Sequence, residues 1–434
     1  MATWLNDLIN YVDDRKNNNV LCPTVQSLRD LIESKAEIQK LASGMWEEAP
    51  IIYTEDKDFL SKKLVRDYNH MLQLLNVVVQ EVAPSWCSIG LTSGLVGAPF
   101  ATILQWAMGT ESGFAFFRRT DVNEKFKLLM NTWRDDVLMT AKSQYVLTSG
   151  KNGWLSKDAM AVLERESNQI GEELRFDELF KCDPISDPVH WKFKTWDEFF
   201  VREFRDIDKL RPVAYAGNPE WIVNPCEYRP YAVKTNVKEK DQFWIKGHNY
   251  SVSDMMDNHD FVPQFVGGTV YQAFLSPFSY HRWASPVSGK VVAAKVVDGD
   301  YFSEPPSKVY EGPKNYDLWP SDRAQAYLSH VATRAVLFIE APQPVGLMCV
   351  VFIGMADVSS CDIVEKFSRN LPQPVKKGDE IGMFHHGGSS CALIFRKGVK
   401  LDFVPEAMPT ASPTNRPVRG ALARVRVDQG CQIS

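Results

Sequence analysis

The feature that most constrains the fold is a change of sequence pattern near residue 221. Beyond it, short segments rich in β-branched and aromatic residues alternate with Gly, Pro, Asn or Asp. Such segments predict strands, and many of them in succession favour a curled sheet or a barrel. The predicted strands are WIVNP, YAVKTN, FWIKG, GTVYQAFLS, GKVVAAKVV, RAVLFIEA, GLMCVVFIG, CALIFRKG and, as a last edge strand, ALARVRV. A looser segment, 303–329, is predicted to form a lid or a surface excursion.

The first half of the chain has helical periodicity instead. Apolar residues recur there at spacings of three and four, which predicts helices with one buried face. The two clearest stripes are Leu60, Leu64, Met71, Leu74, Leu75 and Val78, and Phe126, Leu129, Trp133 and Val137. We therefore predict an α+β fold with a helical domain over 1–192, a connecting segment over 193–220 and a β-rich domain over 221–434.

Two strand-turn phrases are typical of barrel-sandwich hybrids. They are SPVSGKVV (285–292) and VKKGDEIGMF (375–384), with Gly289 and Gly378 at positions where tight turns need a permissive backbone. Lipoyl and biotinyl carrier domains have a similar sequence pattern, but they also need an exposed lysine at a hairpin tip to hold the cofactor. No convincing lysine of that kind lies between the phrases. We therefore expect a barrel-sandwich-like domain that is not a swinging-arm carrier.

Composition excludes several classes of function. A net charge of −5, with Lys and Arg scattered along 434 residues, gives no reason to expect a nucleic-acid partner. The N-terminal segment carries acids and does not resemble a secretory signal, and the most apolar stretch, 89–109, contains polar residues and Pro99. Eight cysteines without a CxxC pair indicate reduced thiols. We expect a cytoplasmic protein without a stable membrane anchor, and the histidines lack metal-ligand spacing.

One short run could carry chemistry of its own. Gly388 and Ser389 lie in HHGGSS, and two glycines followed by two serines between strands usually form only a turn. The glycines would nevertheless leave the Gly388 carbonyl open to attack. A serine hydroxyl is a weak nucleophile unless a neighbouring base takes its proton. His281, His385 and His386 are the candidate bases.

Six phrases, in order over about half the chain, resemble the phosphatidylserine decarboxylase family. The resemblance is strongest to its soluble fungal branch of tryptophan and related aromatic amino-acid decarboxylases, whose extra domain the helical N-terminal region also resembles. GGSS alone is a weak signal, whereas six ordered phrases are a specific one. The phrases are FKTWDEFFVREFRDIDKLRP (193–212), NPCE (224–227), FWIKGHNYSV (243–252), YHRW (280–283), FIGMADVSSC (352–361) and KKGDEIGMFHHGGSS (376–390).

The resemblance implies that the chain makes its own prosthetic group. The Ser389 oxygen would attack the Gly388 carbonyl, and elimination and hydrolysis would leave a pyruvoyl group at the start of a 46-residue C-terminal piece. That group would accept electrons while a small amino-acid-like substrate loses carbon dioxide. The family pattern requires no metal and no diffusible cofactor. It leaves the oligomeric state open.

The chain departs from the family at one position of the processing machinery. Glu227 in NPCE matches the family's acid, as Glu instead of Asp, and His281 matches the first of two motif histidines. The second, which resembles the processing base, is Ala284 here, and an alanine cannot move a proton. Loss of a positioned general base costs about 10²–10⁴-fold in rate. His386 is the candidate substitute, because the family usually has an aromatic residue there.

Three functions therefore remain open at the level of sequence. The leading one is pyruvoyl-dependent decarboxylation of an aromatic amino acid or a related amine-bearing carboxylate. The second is an uncleaved chain that uses the same pocket for chemistry without a pyruvoyl group. The third is a non-catalytic binding relative. The second and third functions are considered because Ala284 replaces the histidine that resembles the processing base.

Overall fold

The structure is a computed structural model of the chain. It describes residues 2–15, 20–49, 65–86, 97–169, 171–241, 250–305, 321–355, 357, 360–385, 389–410 and 414–426. The predicted strand FWIKG and two members of a predicted helical stripe, Leu60 and Leu64, lie outside these ranges.

The helices lie mainly in the first half of the chain, as the sequence predicts. They are α1 (Ala2–Asp14), α2 (Pro23–Ser34), α3 (Ala36–Glu47), α4 (Tyr68–Glu81), α5 (Pro99–Met108), α6 (Glu111–Phe117), α7 (Thr120–Trp133), α8 (Lys157–Ser167), α9 (Phe176–Leu179), α10 (Trp196–Phe200), α11 (Ile207–Leu210), α12 (Val252–Met255), α13 (Ser321–Val331) and α14 (Glu365–Ser368). A π-helical turn, Arg134–Leu138, extends α7.

The predicted helical stripes form the core of the helical region. The described members of both stripes are completely buried, on α4 and on α7 with its π-helical extension. They belong to one apolar cluster that also includes Phe278, Tyr280 and Ala284 from the sheet-rich region. The helical region therefore packs directly against the segment around YHRW.

The sheet-rich region follows Trp221. Its strands are β1 (Trp221–Val223), β2 (Arg229–Thr235), β3 (Thr269–Leu275), β4 (Arg282–Ala284), β5 (Gly289–Val297), β6 (Arg334–Glu340), β7 (Leu347–Gly354), β8 (Ser360–Ile363), β9 (Gln373–Val375), β10 (Glu380–His385), β11 (Ser389–Phe395), β12 (Leu401–Phe403) and β13 (Ala421–Val425). They form a seven-stranded sheet, β2-β3-β11-β7-β6-β5-β9, and two three-stranded sheets, β1-β13-β12 and β4-β10-β8. All the pairings between these strands are antiparallel.

Both faces of the seven-stranded sheet are covered. On one face Phe352 of β7 stacks on Trp283 of β4, with ring centroids 3.9 Å apart and planes 1° from parallel. This contact packs the β4-β10-β8 sheet onto the larger sheet, in a core shared with the β1-β13-β12 sheet. On the other face, residues of α12 and α13 share a second core with the same strands. Strand β11 runs through the middle of this layered arrangement.

The α+β prediction is confirmed, whereas its barrel-sandwich detail is not. Within the described ranges the seven-stranded sheet is open, with β2 and β9 at its edges. The ALARVRV segment is also not an edge strand, because β13 lies between β1 and β12. The segment 303–329 includes most of helix α13. The sequence did not predict this helix, because the first part of the segment is rich in proline. The division at 192/193 and 220/221 stays a prediction.

None of the helices in the described ranges is long and apolar enough to cross a membrane. The apolar stretch 89–109 contributes α5, which is ten residues long and largely buried in the helical region. Its hydrophobicity is therefore explained by packing.

Candidate active site

Two adjacent serines at the start of β11 have opposite environments. The Ser389 hydroxyl is buried and has no hydrogen-bond partner among the described residues. Ser390 points to the other face of the sheet, because side chains alternate along a strand. Its hydroxyl donates to the Ala273 carbonyl oxygen and accepts from Gln272 Nε2, each at 2.9 Å. Ser389 therefore has the uncommitted hydroxyl of the pair.

His281 lies immediately before β4 and is buried against an aromatic ring. Its imidazole stacks on Phe200, with ring centroids 4.0 Å apart, and its carbonyl oxygen accepts from the Phe384 amide at 3.0 Å. Neither ring nitrogen is in hydrogen-bonding geometry with a described residue. Burial, and then the charge of Arg202, lower the pKa of His281 well below 6.5, although the Ser279 backbone opposes this. The ring is therefore neutral at neutral pH.

Glu227 lies in the loop between β1 and β2 and is as deeply buried as His281. One carboxylate oxygen accepts from Arg211 Nε at 2.5 Å, and the other has no partner in the described part of the chain. Burial raises the pKa of Glu227, while the charges of Arg211 and Arg202 oppose that rise. The site thus contains a buried carboxylate with one oxygen still available.

Arg202 connects the surroundings of Glu227 and His281. Its guanidinium is buried, donates to the carbonyl oxygens of Phe278 and Ser279 at 2.6 and 3.2 Å, and lies over the Phe180 ring. Its charge favours the neutral form of His281 and the ionised form of Glu227. Arg202 therefore holds the turn before His281, and its charge adds to the effect of burial on His281 and opposes the effect of burial on Glu227.

Ala284 is buried at the end of β4. Its amide donates to the Pro225 carbonyl oxygen at 2.8 Å, which places it beside the NPCE segment. A cavity of about 330 Å³ adjoins it, with Phe204, Tyr280 and Glu380 in its lining. No described histidine lines that cavity.

The sequence did not single out the ionic contacts of His385. Nδ1 lies 2.8 Å from Oδ1 of Asp197 on α10, and Nε2 lies 3.8 Å from Oδ2 of Asp362 on β8. Asp197 belongs to the phrase FKTWDEFF and lies 188 positions before its partner. Neither acid has a spacing relative to the histidine that could have indicated the contact.

The structure describes only part of the predicted site and shows no bond between its described members. Ser389, His281 and Glu227 are all described, and no hydrogen bond between described atoms joins any two of them. His386 and Gly388 lie outside the described residues. The predicted connecting segment 193–220 also forms part of the surroundings of the candidate residues, because its side chains contact His281, Glu227 and His385. Its contributing side chains are Asp197, Phe200, Arg202 and Arg211.

The other described histidines have structural contacts. His70, His190, His259 and His330 each have one ring nitrogen in a hydrogen bond with a backbone group. Among the described residues, no three His, Cys, Asp or Glu side chains are grouped as a metal site. These four histidines therefore have structural roles in the described part of the chain, and His248 lies outside the described ranges.

Comparison with known proteins relates most of the chain to one family. Two family models, both described as phosphatidylserine decarboxylase, match residues 22–163 and 196–412. The decarboxylase iboD of Amanita muscaria is 38% identical over 306 residues, which cover 69% of this chain and 84% of that protein. An L-tryptophan decarboxylase of Psilocybe cubensis is 34% identical over 370 residues, covering 82% and 80%.

A more distant relative carries the name of the family. The phosphatidylserine decarboxylase proenzyme of Chlamydia pneumoniae is 28% identical over 243 residues, which cover 56% of this chain and 71% of that protein. The second family model, over residues 196–412, includes Ser389, His281 and Glu227. On the extent of these matches, the chain belongs to the phosphatidylserine decarboxylase family.

Proposed function

We propose that this chain is a pyruvoyl-dependent decarboxylase of a small aromatic L-amino acid, or of a related amine-bearing carboxylate, and that it cleaves itself between Gly388 and Ser389. The relatives named as L-tryptophan decarboxylases support the substrate class. The relatives named as proenzymes support the self-processing. The sequence-based prediction of a cytoplasmic location is kept.

The observation that carries the proposal is the environment of the Ser389 hydroxyl. Buried polar groups are normally hydrogen-bonded, and each exception calls for an explanation. A hydroxyl that must attack the preceding carbonyl needs to be free of competing bonds in the uncleaved chain. Among the described residues Ser389 has no such competing bond, whereas Ser390 is bonded to Gln272 and Ala273, and this difference supports the proposal.

Cleavage would need only the chain's own atoms and water. The Ser389 oxygen adds to the Gly388 carbonyl carbon, the peptide nitrogen leaves, and an ester forms. Elimination then releases Gly388 as a carboxylate, and hydrolysis of the remaining unsaturated residue releases ammonia and leaves a pyruvoyl group on the 46-residue piece. That group supplies the electron-withdrawing carbonyl that decarboxylation of an α-amino acid requires.

The described side chains would supply charge and proton transfer. A neutral His281 has one nitrogen that can accept a proton and one that can donate it. Glu227 has an unpartnered oxygen that can orient a positively charged or N–H group. Both groups are buried, and electrostatic interactions are stronger away from water. We assign them to orienting the substrate and to moving its protons.

The base for cleavage is assigned to His386, in place of the histidine that Ala284 replaces. His385 is unsuitable because its contacts with Asp197 and Asp362 keep it protonated. His281 is neutral, but its strongly lowered pKa makes it a weak base. An unshifted imidazole has a pKa of about 6.5 and can accept a proton at neutral pH.

A second candidate function is an uncleaved chain that uses the same pocket without a pyruvoyl group. The observation that favours it is the cavity beside Ala284, where no described imidazole stands. A non-catalytic binding relative would share this feature. Cleavage separates the first proposal from both alternatives.

Denaturing mass spectrometry of purified protein tests the proposal. The wild type should separate into residues 1–388 and a blocked piece that begins at position 389, while Ser389→Ala should remain one chain. His386→Phe should slow cleavage about 10²–10⁴-fold, the cost of losing a general base, and Ala284→His in that background should restore it. A wild-type chain that stays intact after long incubation would exclude the pyruvoyl proposal.

The cleaved preparation then tests the substrate class. Tryptophan, phenylalanine or tyrosine should yield carbon dioxide and the corresponding amine, and the uncleaved Ser389→Ala protein is the matched control. Turnover of phosphatidylserine in vesicles, with none of free amino acids, would overturn the aromatic assignment.

A further inference from the structure

His385 is the last residue of β10 and lies between two carboxylates. Its Nδ1 is 2.8 Å from Asp197 and its Nε2 is 3.8 Å from Asp362. An imidazole can donate from both nitrogens only when it is protonated. Burial lowers the pKa of His385, but its hydrogen bond to Asp197 and its ionic interactions with both acids outweigh burial and raise that pKa to about 9. At neutral pH the ring is therefore a cation.

The three side chains join three separate elements. Asp197 lies on α10 and Asp362 on β8, while His385 ends β10. The Asp197 side chain is 7% exposed and the Asp362 side chain 66%, so water weakens the second contact far more than the first. The contact with α10 is therefore the stronger of the two.

The charged groups around His385 are mostly paired with one another, which argues against a ligand site. Arg134, in the π-helical turn after α7, is paired with Asp135 at 2.7 Å. It also interacts with the charges of Asp197 and Asp362. The three carboxylates thus face one imidazolium and one guanidinium within the group. The arrangement is suited to holding elements together.

The position of His385 in the chain gives this contact a consequence for cleavage. Three residues connect it to Ser389, which is itself fixed by pairing with β3 and β7. Four Cα–Cα steps, which can span at most about 14 Å, separate the two fixed residues. Fixing His385 therefore holds both ends of the connection that contains the proposed scissile bond.

We propose that His385 is a positioning residue, an ionic clamp between Asp197 and Asp362 that fixes the end of β10 and so sets the rate at which Ser389 attacks. The inference rests on the proposed function, because cleavage is the step that the clamp controls. It assigns His385 no contact with the substrate and no proton transfer.

The test compares cleavage rates of variants by denaturing mass spectrometry. Asp197→Asn should slow cleavage about 10- to 100-fold, since a displacement of 1 Å can cost about that much. Asp362→Asn should slow it less, and Asp197→Glu, which keeps the charge, should recover part of the rate. Asp402→Asn removes an exposed contact with Arg426 and serves as the matched control, with no expected effect.

The pH profile distinguishes a clamp from a general loss of structure. Wild-type cleavage should fall as the pH rises through about 9, where His385 loses its proton, and Asp197→Asn should move that fall to lower pH. An Asp197→Asn protein that cleaves at the wild-type rate, or whose profile is unchanged, would overturn the proposal. If that variant does not fold, Asp362→Asn and the wild-type profile decide the question.

Failure of the clamp and failure of the proposed function have different signatures. A wild-type chain that never cleaves refutes the proposed function, and the clamp is then decided by NMR titration of His385 and by hydrogen exchange along β10. A His385 pKa near 9, with faster exchange in Asp197→Asn, would support the clamp. Titration near 6.5, or unchanged exchange, would refute it.

Discussion

At the scale of single residues, the site separates groups that hold the fold from groups that are free to react. Tyr250 donates to Gln272 at 2.6 Å, and Gln272 donates to Ser390, so Ser390 is part of a buried polar network. Ser389 contributes no described side-chain bond to stability. A buried hydroxyl without a partner costs folding free energy instead of supplying it.

This difference predicts that Ser389→Ala abolishes cleavage, whereas Ser390→Ala mainly lowers stability. In the uncleavable Ser389→Ala background, adding Ser390→Ala should lower the free energy of unfolding by about 1 kcal/mol, because two hydrogen bonds are lost. Ser390→Ala alone should still cleave at a rate near that of the wild type. Denaturant unfolding measures the first effect and denaturing mass spectrometry the second. Loss of cleavage in Ser390→Ala, with normal stability, would contradict the division of roles.

Sequence patterns indicated the candidate residues but not their surroundings. Ser389, His281 and Glu227 could be identified because each lies in a short phrase that resembles a family motif. The clamp on His385 could not, because its strongest contact joins positions 188 apart and depends on how α10 docks. Burial, which sets the pKa directions of His281 and Glu227, is likewise a property of the packed chain.

At the scale of elements, the sequence predicted those strands whose residues have a strong local preference for β structure. The long β-branched runs became β3, β5, β6, β7 and β11, as predicted. The sequence did not predict the short strands β8 and β12, which are four and three residues long. Strands this short form because they pair with a neighbouring strand, and their own residues carry little sequence signal. Helix α13 was missed because the proline-rich residues before it dominate the composition of the segment 303–329.

One element contact has a measurable energetic role. Helix α5 begins after Ala98, whose methyl side chain cannot accept a hydrogen bond from the first amides of the helix. Buried Asp357 accepts instead from the amides of Phe100 and Ala101, at 3.0 and 2.8 Å. Asp357 follows β7 by three residues, so this cap ties the helical region to the strand beside Ser389.

Removing that cap should destabilise the protein. Asp357→Ala should lower the free energy of unfolding by about 1–3 kcal/mol, because two buried N–H groups lose their acceptor. Asp298→Ala, which removes an exposed ion pair with Lys127, is the control and should change stability little. Both variants are compared by denaturant unfolding in the Ser389→Ala background. Equal stability of the two would show that the cap is energetically unimportant.

At the scale of the whole molecule, the proposed cleavage would divide the sheet-rich core between two chains. The 46-residue piece would carry β11, which has seven register partners on β3 and seven on β7. Every residue of β11 is buried. The same piece carries β12 and β13, and β13 pairs with β1 of the longer piece.

The cleaved chains should therefore stay together until the fold is lost. Withdrawing a central strand would expose both cores and break two ladders of backbone hydrogen bonds, each with a large cost in a dry interior. Native mass spectrometry of the cleaved protein should give a species of about 49.2 kDa or a whole multiple of it, with no free short piece, and denaturing conditions should give two pieces. The uncleaved Ser389→Ala protein should give one species in both. Release of the short piece under native conditions would mean that β11 is not held as a central strand after cleavage.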